Sequence, residues 1–224
     1  MKGCLGDMCF PRNCGVCGRE LIVQETVLCL ACLHDLPRTY HWLSPCNPMA
    51  ASFEGRFPFS GATAFLFFRE GSPYRKLLHR FKYGGEPEIG FYMGMLFGKE
   101  LYGSYKKKGA PVVVPVPMSS WKRRKRGYNQ AEWLAAGIAA SAGWTMASYA
   151  VKRVRENKSQ TTKDKEGRRE NMKNAFVAHP VPYDRLLLVD DVITTGATME
   201  SCSLSILEKN PGIELSLASL AYVE

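Results

Sequence analysis

"LLLVDDVITTGATME", Leu186 to Glu200, is the stretch on which the reading of the fold turns. Four apolar residues of buried-strand character break off at Asp190 and Asp191. After two more apolar residues the chain passes through Thr194, Thr195, Gly196, Ala197 and Thr198 into a helical pattern. Strand, charge, hydroxyl-rich turn and helix in that order describe a β–α unit, and in an open α/β sheet ligands gather beyond the carboxyl ends of the strands. Such a turn presents backbone N–H groups and hydroxyls to one point, and the start of a helix adds positive potential, so the arrangement suits a phosphate monoester. Two carboxylates beside an anion site make sense when the ligand carries hydroxyls as well as phosphate, as a ribose 5-phosphate does: carboxylates accept hydrogen bonds from vicinal hydroxyls and tolerate a nearby Mg²⁺. The plainer alternative is an Asp-Asp turn that caps the following helix.

Outward from this stretch the pattern repeats. "GATAFLFF" (61–68), "APVVVPVP" (110–117) and "ELSLASL" (214–220) read as strands, with "WTMASYAV" and "NAFVA" as further candidates. "SPYRKLLHRFKY" (72–83), the glycine-interrupted "PEIGFYMGMLFGKELYG" (87–103) and "GYNQAEWLAAGIAASAG", closed by Gly143, read as helices, as does the run from about Gly196 to Leu207. Strands alternating with helices predict an α/β domain around a parallel sheet. The proline-, serine- and asparagine-rich "LSPCNPMAAS" reads as a linker ending near Phe53. This divides the chain into an N-terminal part, residues 1–52, and a main domain, residues 53–224.

With 224 residues, 46% of them hydrophobic, the chain is long enough to bury a sizeable core. No run of apolar residues has membrane-spanning length, and the first ten residues lack the apolar core of a signal peptide, so a cytoplasmic location without membrane insertion is expected. The formal net charge of +9 is concentrated in two windows. Lys122 to Arg126 and Lys152 to Lys173 each contribute +5, leaving the remainder close to neutral. Basic segments of this kind are either solvated surface or the meeting place for an anionic partner, phosphate or nucleic acid. The second window is also long and polar between two strand candidates, which marks it as a functional loop.

Cys14-x2-Cys17 and Cys29-x2-Cys32 are separated by eleven residues, close enough for both pairs to close on one ion. Four thiolates suit tetrahedral Zn²⁺ and leave no open position for water, so the site is structural, and so short a segment depends on its ion to fold. Cys4, Cys9, Cys46 and Cys202 are read as non-ligands, although by sequence Cys9 or Cys46 could replace one of the four.

At this point the residues carry a family resemblance. "LLLVDDVITTGAT" resembles the phosphoribosyl-pyrophosphate motif of type I phosphoribosyltransferases. The cysteine knuckles after "FPRNC", "HRFKYGG", "PVPMSSWKRRKRGYNQA" and "QTTKDKEGRRENMKNAF" narrow the resemblance to the ComF family, named for competence for DNA uptake. The resemblance implies a type I phosphoribosyltransferase-like parallel sheet flanked by helices, with a small N-terminal Cys4 zinc-binding domain. It implies that Asp190 and Asp191 bind the ribose hydroxyls and that Thr194, Thr195, Gly196, Ala197 and Thr198 hold the 5-phosphate. Val116, Pro117, Met118 and Ser119, with Arg123 and Arg126 of the basic stretch beside them, would meet pyrophosphate, and a mobile loop bearing Lys158, Gln160 and Arg168 would close over the ligand. One departure is Lys163, where the family usually has leucine.

The implied ligand is phosphoribosyl pyrophosphate, or a related phosphoribosyl compound, with Mg²⁺. The implied partners are single-stranded DNA and a competence helicase, for which Trp121 and Tyr128 flanking "KRRKR" supply charge interleaved with aromatic rings. The rival reading is a phosphoribosyltransferase of nucleotide metabolism unconnected with DNA. Transfer from the pyrophosphate through an oxocarbenium-like transition state would need positioning, charge neutralisation and water exclusion but no protein nucleophile. No segment identifies its acceptor.

Overall fold

The computed structural model describes residues 12–106, 108–154 and 175–223. In chain order these form α1 (Leu30–His34), a 3-10 turn (His41–Leu43), α2 (Pro48–Ala51), β1 (Gly61–Phe68), α3 (Arg75–Tyr83), α4 (Pro87–Tyr105), β2 (Val112–Pro115), α5 (Ser120–Arg126), α6 (Gln130–Ala142), β3 (Val151–Arg153), β4 (Phe176–Ala178), β5 (Arg185–Ile193), α7 (Ala197–Lys209) and β6 (Glu214–Val223). Four strands lie side by side in the order β1-β6-β5-β2, all parallel. β3 and β4 form a separate antiparallel pair.

The apolar strands serve two layers at once. Val113, Leu187, Val189, Ala218 and Phe65 face a core built with α4 and α6, through Met93, Phe97, Leu134 and Ile138. Their chain neighbours Val114, Leu186, Leu188, Leu217 and Ala64 face a second core with α2 and α7, through Met49, Phe53, Met199 and Ile206. Strands covered on both faces therefore read as continuous apolar runs rather than alternating ones. Neither sheet edge is left bare. Phe67 N–H donates to Pro37 O at 2.9 Å along β1, and Val113 N–H donates to Thr145 O at 2.8 Å along β2.

Two features differ from the sequence reading. β5 does not stop at its aspartates: Asp190 pairs in register with Ser219, and the ladder runs on to Ile193 opposite Tyr222. The ladder persists because β6 is long enough to keep satisfying the backbone after the side chains have turned polar. The segment read as a linker carries α2, N-capped by Asn47, whose Oδ1 accepts from Ala50 N–H at 3.0 Å while its Nδ2 donates to Ala62 O at 2.9 Å. Met49 and Phe53 have no exposed surface, so this segment is core rather than spacer. The cysteine-rich segment likewise shares a cluster with the sheet, Leu21 and Leu28 packing into the same core as Phe65 and Leu77.

The glycines of "GFYMGMLFG" explain the close approach of α4 and α6. A Cβ on Gly94 would collide with the Leu134 carbonyl and lie 3.0 Å from the Cα of Gly137. Gly94→Ala is expected to cost roughly 1–3 kcal/mol by overpacking. Gly103→Ala, on the same helix with nothing within 4 Å, is expected to be neutral or stabilising by up to about 1 kcal/mol. Urea unfolding of the two variants checks the pair.

Candidate functional site

A cleft of about 190 Å³ opens at the carboxyl ends of β5 and β2, lined by Asp190 and Asp191 of β5, Val116, Pro117 and Met118 after β2, and Thr198 at the start of α7. Each aspartate is fixed by the backbone that follows it: Asp191 N–H donates to Asp190 Oδ1 and Val192 N–H to Asp191 Oδ1, both at 2.8 Å. These bonds hold the carboxylates locally, leaving the helix that begins at Ala197 to be capped by Gly196, with no side-chain cap. The plain helix-cap alternative for Asp190 and Asp191 thus has no support in the geometry.

Burial, and next the charge of Asp191, raise the Asp190 carboxyl to about 8. The surroundings answer with cations from several elements. Lys82 of α3 pairs with Asp191, Nζ to Oδ2 at 3.1 Å. Lys122 and Arg126 of α5 and Arg153 of β3 complete the basic wall. Arg126 is held at 3.1 Å from Gln130 Oε1 and 5.0 Å from the Tyr83 ring centroid. Burial, and then repulsion from Arg153 and Arg126, lower the Lys122 ammonium below its ordinary value, against the opposing pull of the two aspartates. A ligand carrying further negative charge would relieve that repulsion.

The turn above the cleft is fixed by α2's neighbourhood. Gly196 has φ of 72°, and a Cβ there would lie 2.6 Å from the Phe53 ring, so both backbone and packing require glycine. Arg56 Nη1 donates to Thr195 O at 3.1 Å and its Nε to Glu200 Oε2 at 3.0 Å, tying the turn to the first turn of α7. Thr194 and Thr195 are exposed, while Ala197 and Thr198 are half-buried. The helix start leaves its first N–H groups without intrahelical partners, and these are the donors a phosphate would take.

Not every residue read from the sequence lines the cleft: of Thr194, Thr195, Gly196, Ala197 and Thr198, only Thr198 does. Ser119 is buried as the N-cap of α5, its Oγ accepting from Lys122 N–H at 3.3 Å. Arg123 lies on the outer side of the same helix, 3.5 Å from Glu132, and Lys122, one residue earlier, occupies the cleft wall. A seven-residue helix turns consecutive basic residues to different faces, which a run of five charges does not disclose. Lys82, Arg153 and Asn129 lie in segments that the sequence marks out, "HRFKYGG", the second basic window and "PVPMSSWKRRKRGYNQA", but nothing in their pattern assigns them to the cleft or gives Asp191 a partner. Lys158, Gln160 and Arg168 lie outside the described residues.

The four cysteines Cys14, Cys17, Cys29 and Cys32 converge, their sulfurs all within 4.8 Å of one another. Zn–S bonds of about 2.3 Å in a tetrahedron put sulfurs roughly 3.8 Å apart, and the Cys17 and Cys29 sulfurs are 3.8 Å apart. The donor set therefore fits Zn²⁺. Burial opposes ionisation of Cys14, but N–H groups of Cys29, Cys17 and Val16 outweigh it and lower the thiol to about 6. Buried Glu25 organises the loop, accepting from Leu30 N–H at 2.7 Å and Ile22 N–H at 3.1 Å and pairing with Arg19 at 3.0 Å. Cys46 is exposed and outside the cluster, Cys202 is buried in α7, and Cys4 and Cys9 lie outside the described residues. Among the described residues no helix is long and apolar enough to cross a membrane.

No family model matches the chain. The chain is 32% identical over 142 residues to Competence protein F of Haemophilus influenzae, a match covering 58% of this chain and 60% of that protein. It is 30% identical over 192 residues to DNA utilization protein YhgH of Escherichia coli K12, covering 83% and 80%. Competence protein ComFC of Bacillus subtilis is 28% identical over 148 residues, covering 65% and 58%.

Two outcomes are expected of these sites. Because the folded-state value of Asp190, about 8, lies above its ordinary 3.8, its contribution to stability is fully present below pH 3.8 and is lost as pH rises toward 8. Asp190→Asn should therefore melt near the parent's temperature at pH 4 and increasingly above it up to pH 8, as differential scanning calorimetry would record. At the knuckle, chelation should release one metal per chain and lower the melting temperature. Cys29→Ser should reproduce both effects, measured by colorimetric zinc release and calorimetry.

Proposed function

We propose, on the premise that the chain belongs to the ComF family, that its cleft binds a phosphoribosyl pyrophosphate-like ligand in a protein of DNA uptake. The observation that carries the reading is the convergence in one cleft of Asp190 and Asp191, Thr198 at the end of the hydroxyl-rich turn and start of a helix, and the cations Lys82, Lys122, Arg126 and Arg153. Only a ligand offering both hydroxyls and dispersed negative charge uses all of these together. In this reading the carboxylates accept the ribose hydroxyls, the turn takes the 5-phosphate, and the basic wall takes the pyrophosphate with the backbone after β2. Lys82 then exchanges its carboxylate partner for a phosphate oxygen. Asp190 and Asp191 have the ligand chemistry for Mg²⁺, which would neutralise the phosphates. The type I phosphoribosyltransferase-like character of the sheet, and the two-part division at residues 52 and 53, belong to the same proposal.

The names of the relatives, competence and DNA utilization proteins, support the setting in DNA uptake. A contact with single-stranded DNA is favoured by the outer face of α5, where Trp121 is 56% exposed and Lys125 Nζ lies 5.5 Å from its ring centroid, beside Arg123 and Arg124. Charge beside an open ring is what backbone attraction and base stacking require. The cleft and this face are separate surfaces of one short helix, so both can be engaged together, with a competence helicase as the proposed protein partner. Turnover in nucleotide metabolism, the alternative, would need an acceptor in the same cleft.

Titration calorimetry with phosphoribosyl pyrophosphate and Mg²⁺ tests the cleft. Saturable binding is expected for the parent, with at least tenfold weakening in Asp191→Asn and Lys122→Ala, by loss of charge-assisted hydrogen bonds. Absence of binding, or binding indifferent to both substitutions, would overturn the reading. In a fluorescence assay with a labelled oligothymidylate, Arg123→Ala/Arg124→Ala should flatten the dependence of affinity on salt. Pyrophosphate release with a candidate acceptor would favour the enzyme.

A further inference from the structure

At the opposite end of the sheet from the cleft lies a larger cavity of about 610 Å³, whose walls include Trp42, Leu101 and Tyr105. It exists because α4 runs out of apolar cover. The helix packs on the sheet through Ile89, Met93, Phe97 and Leu101, and beyond Leu101 the strand residues facing this layer change from Phe65 and Ala218 to Thr63 and Ser216. The 3-10 turn at His41–Leu43 roofs the space rather than filling it.

The hydroxyls around the cavity are not equivalent. Ser104 Oγ donates to Trp42 O at 2.9 Å, and Ser216 is hydrogen-bonded to the Tyr105 phenol. Thr63 is 8% exposed, and its buried Oγ1 has no hydrogen-bond partner among the described residues. A buried hydroxyl left unpaired is costly, and valine would give the same shape without the cost. At the mouth stand the exposed Lys99 and Lys108, with Lys106 close in sequence and Glu100 the one opposing charge among the lining residues. These lysines belong to neither basic window that dominates the sequence.

Aromatic walls, an unspent hydroxyl at depth and a cationic rim occur together in a volume typical of ligand pockets. We propose that this cavity is a second binding site, for a small aromatic anion. Its ring lies between Trp42, Leu101 and Tyr105, its anionic group meets Lys99 and Lys108, and a polar ring atom pairs with Thr63 Oγ1. A mononucleotide and an aromatic sulfonate or carboxylate share this chemistry. Because the cavity adjoins the first residues of β1 and β6 while the cleft adjoins the last residues of β5, the two sites do not overlap.

Anilinonaphthalene sulfonate, followed by its fluorescence with the full chain, is the probe, and thymidine monophosphate is the competitor. Binding to a single saturable site is expected. Thr63→Val should weaken it roughly three- to tenfold, the worth of one neutral hydrogen bond, and Thr63→Ser should restore it. Lys108→Glu, at an exposed position where folding is not at stake, should weaken it further. Thr63→Val should leave calorimetric binding of phosphoribosyl pyrophosphate unchanged, so failure of the cleft reading and failure of this one are told apart. Displacement of the probe by thymidine monophosphate would support the site and assign it to nucleotides; variant-sensitive binding without displacement would support it for aromatic sulfonates and carboxylates. Displacement by phosphoribosyl pyrophosphate, or affinity indifferent to Thr63→Val and Lys108→Glu alike, would overturn it.

Discussion

A pair of carboxylates at the end of a central strand is the constraint around which this protein is arranged. β5 lies between β6 and β2, its residues Leu186 to Val189 are buried, and the ladder holds Asp190 opposite Ser219, so sheet pairing fixes the backbone that carries both aspartates. Burial and the charge of Asp191 raise the Asp190 carboxyl to about 8, so near neutral pH the pair carries close to one charge. Cations drawn from α3, α5 and β3 offset part of the cost of that charge. A site assembled from so many elements exists only when all of them are docked, which ties its chemistry to the integrity of the whole fold.

The turn that completes the cleft is held just as indirectly. Phe53 packs against Gly196, and Arg56 bonds the Thr195 carbonyl and Glu200, so residues just beyond α2 set the shape of a loop some 140 positions later in the chain. A cation over an aromatic ring joins the two anchors, the Arg56 guanidinium lying 5.1 Å from the Phe53 centroid. This is the reason a stretch with the composition of a linker is in fact core. Pro48 and Asn47 serve as helix start and cap, with Asn47 reaching from the cap to β1.

Much of this was legible in the residues, and the part that was not has a physical pattern. Apolar runs such as "GATAFLFF" and the glycine closing α6 are local signals, and both elements lie where the sequence puts them. The sequence also isolates Asp190, Asp191 and the turn, because strand, charge and turn are contiguous. It does not disclose Lys82, Lys122 or Arg153, whose roles depend on which face of a helix or ribbon meets β5. It likewise ends β5 too early, because side-chain polarity marks where burial stops, whereas a ladder stops only when its neighbour does. The same blindness to facing explains why Arg123 reads as a cleft residue and lies outside it.

The four-cysteine knuckle and the cleft share one mechanical element, and its direction of influence follows from packing. α3 is short, nine residues, and its start has no side-chain cap; a helix of that length is marginal on propensity alone and takes its stability from what it packs against. Part of what it packs against is the knuckle. Tyr74 hydroxyl donates to Cys32 O at 2.8 Å, and Leu77 sits so close to Gly15 that a Cβ there would lie 2.6 Å from its methyl carbon. At the other end of the same helix Lys82 reaches Asp191, while the Phe81 carbonyl accepts hydrogen bonds from Tyr128 and Gln130 beside α6. An ion that closes the four thiolates thus stiffens the surface on which α3 rests, and α3 carries the cation that meets the acidic pair. Four sulfur ligands would leave an ion in the knuckle no open coordination position, so the link between knuckle and cleft is mechanical, through α3 and the contacts of Lys82 and Phe81.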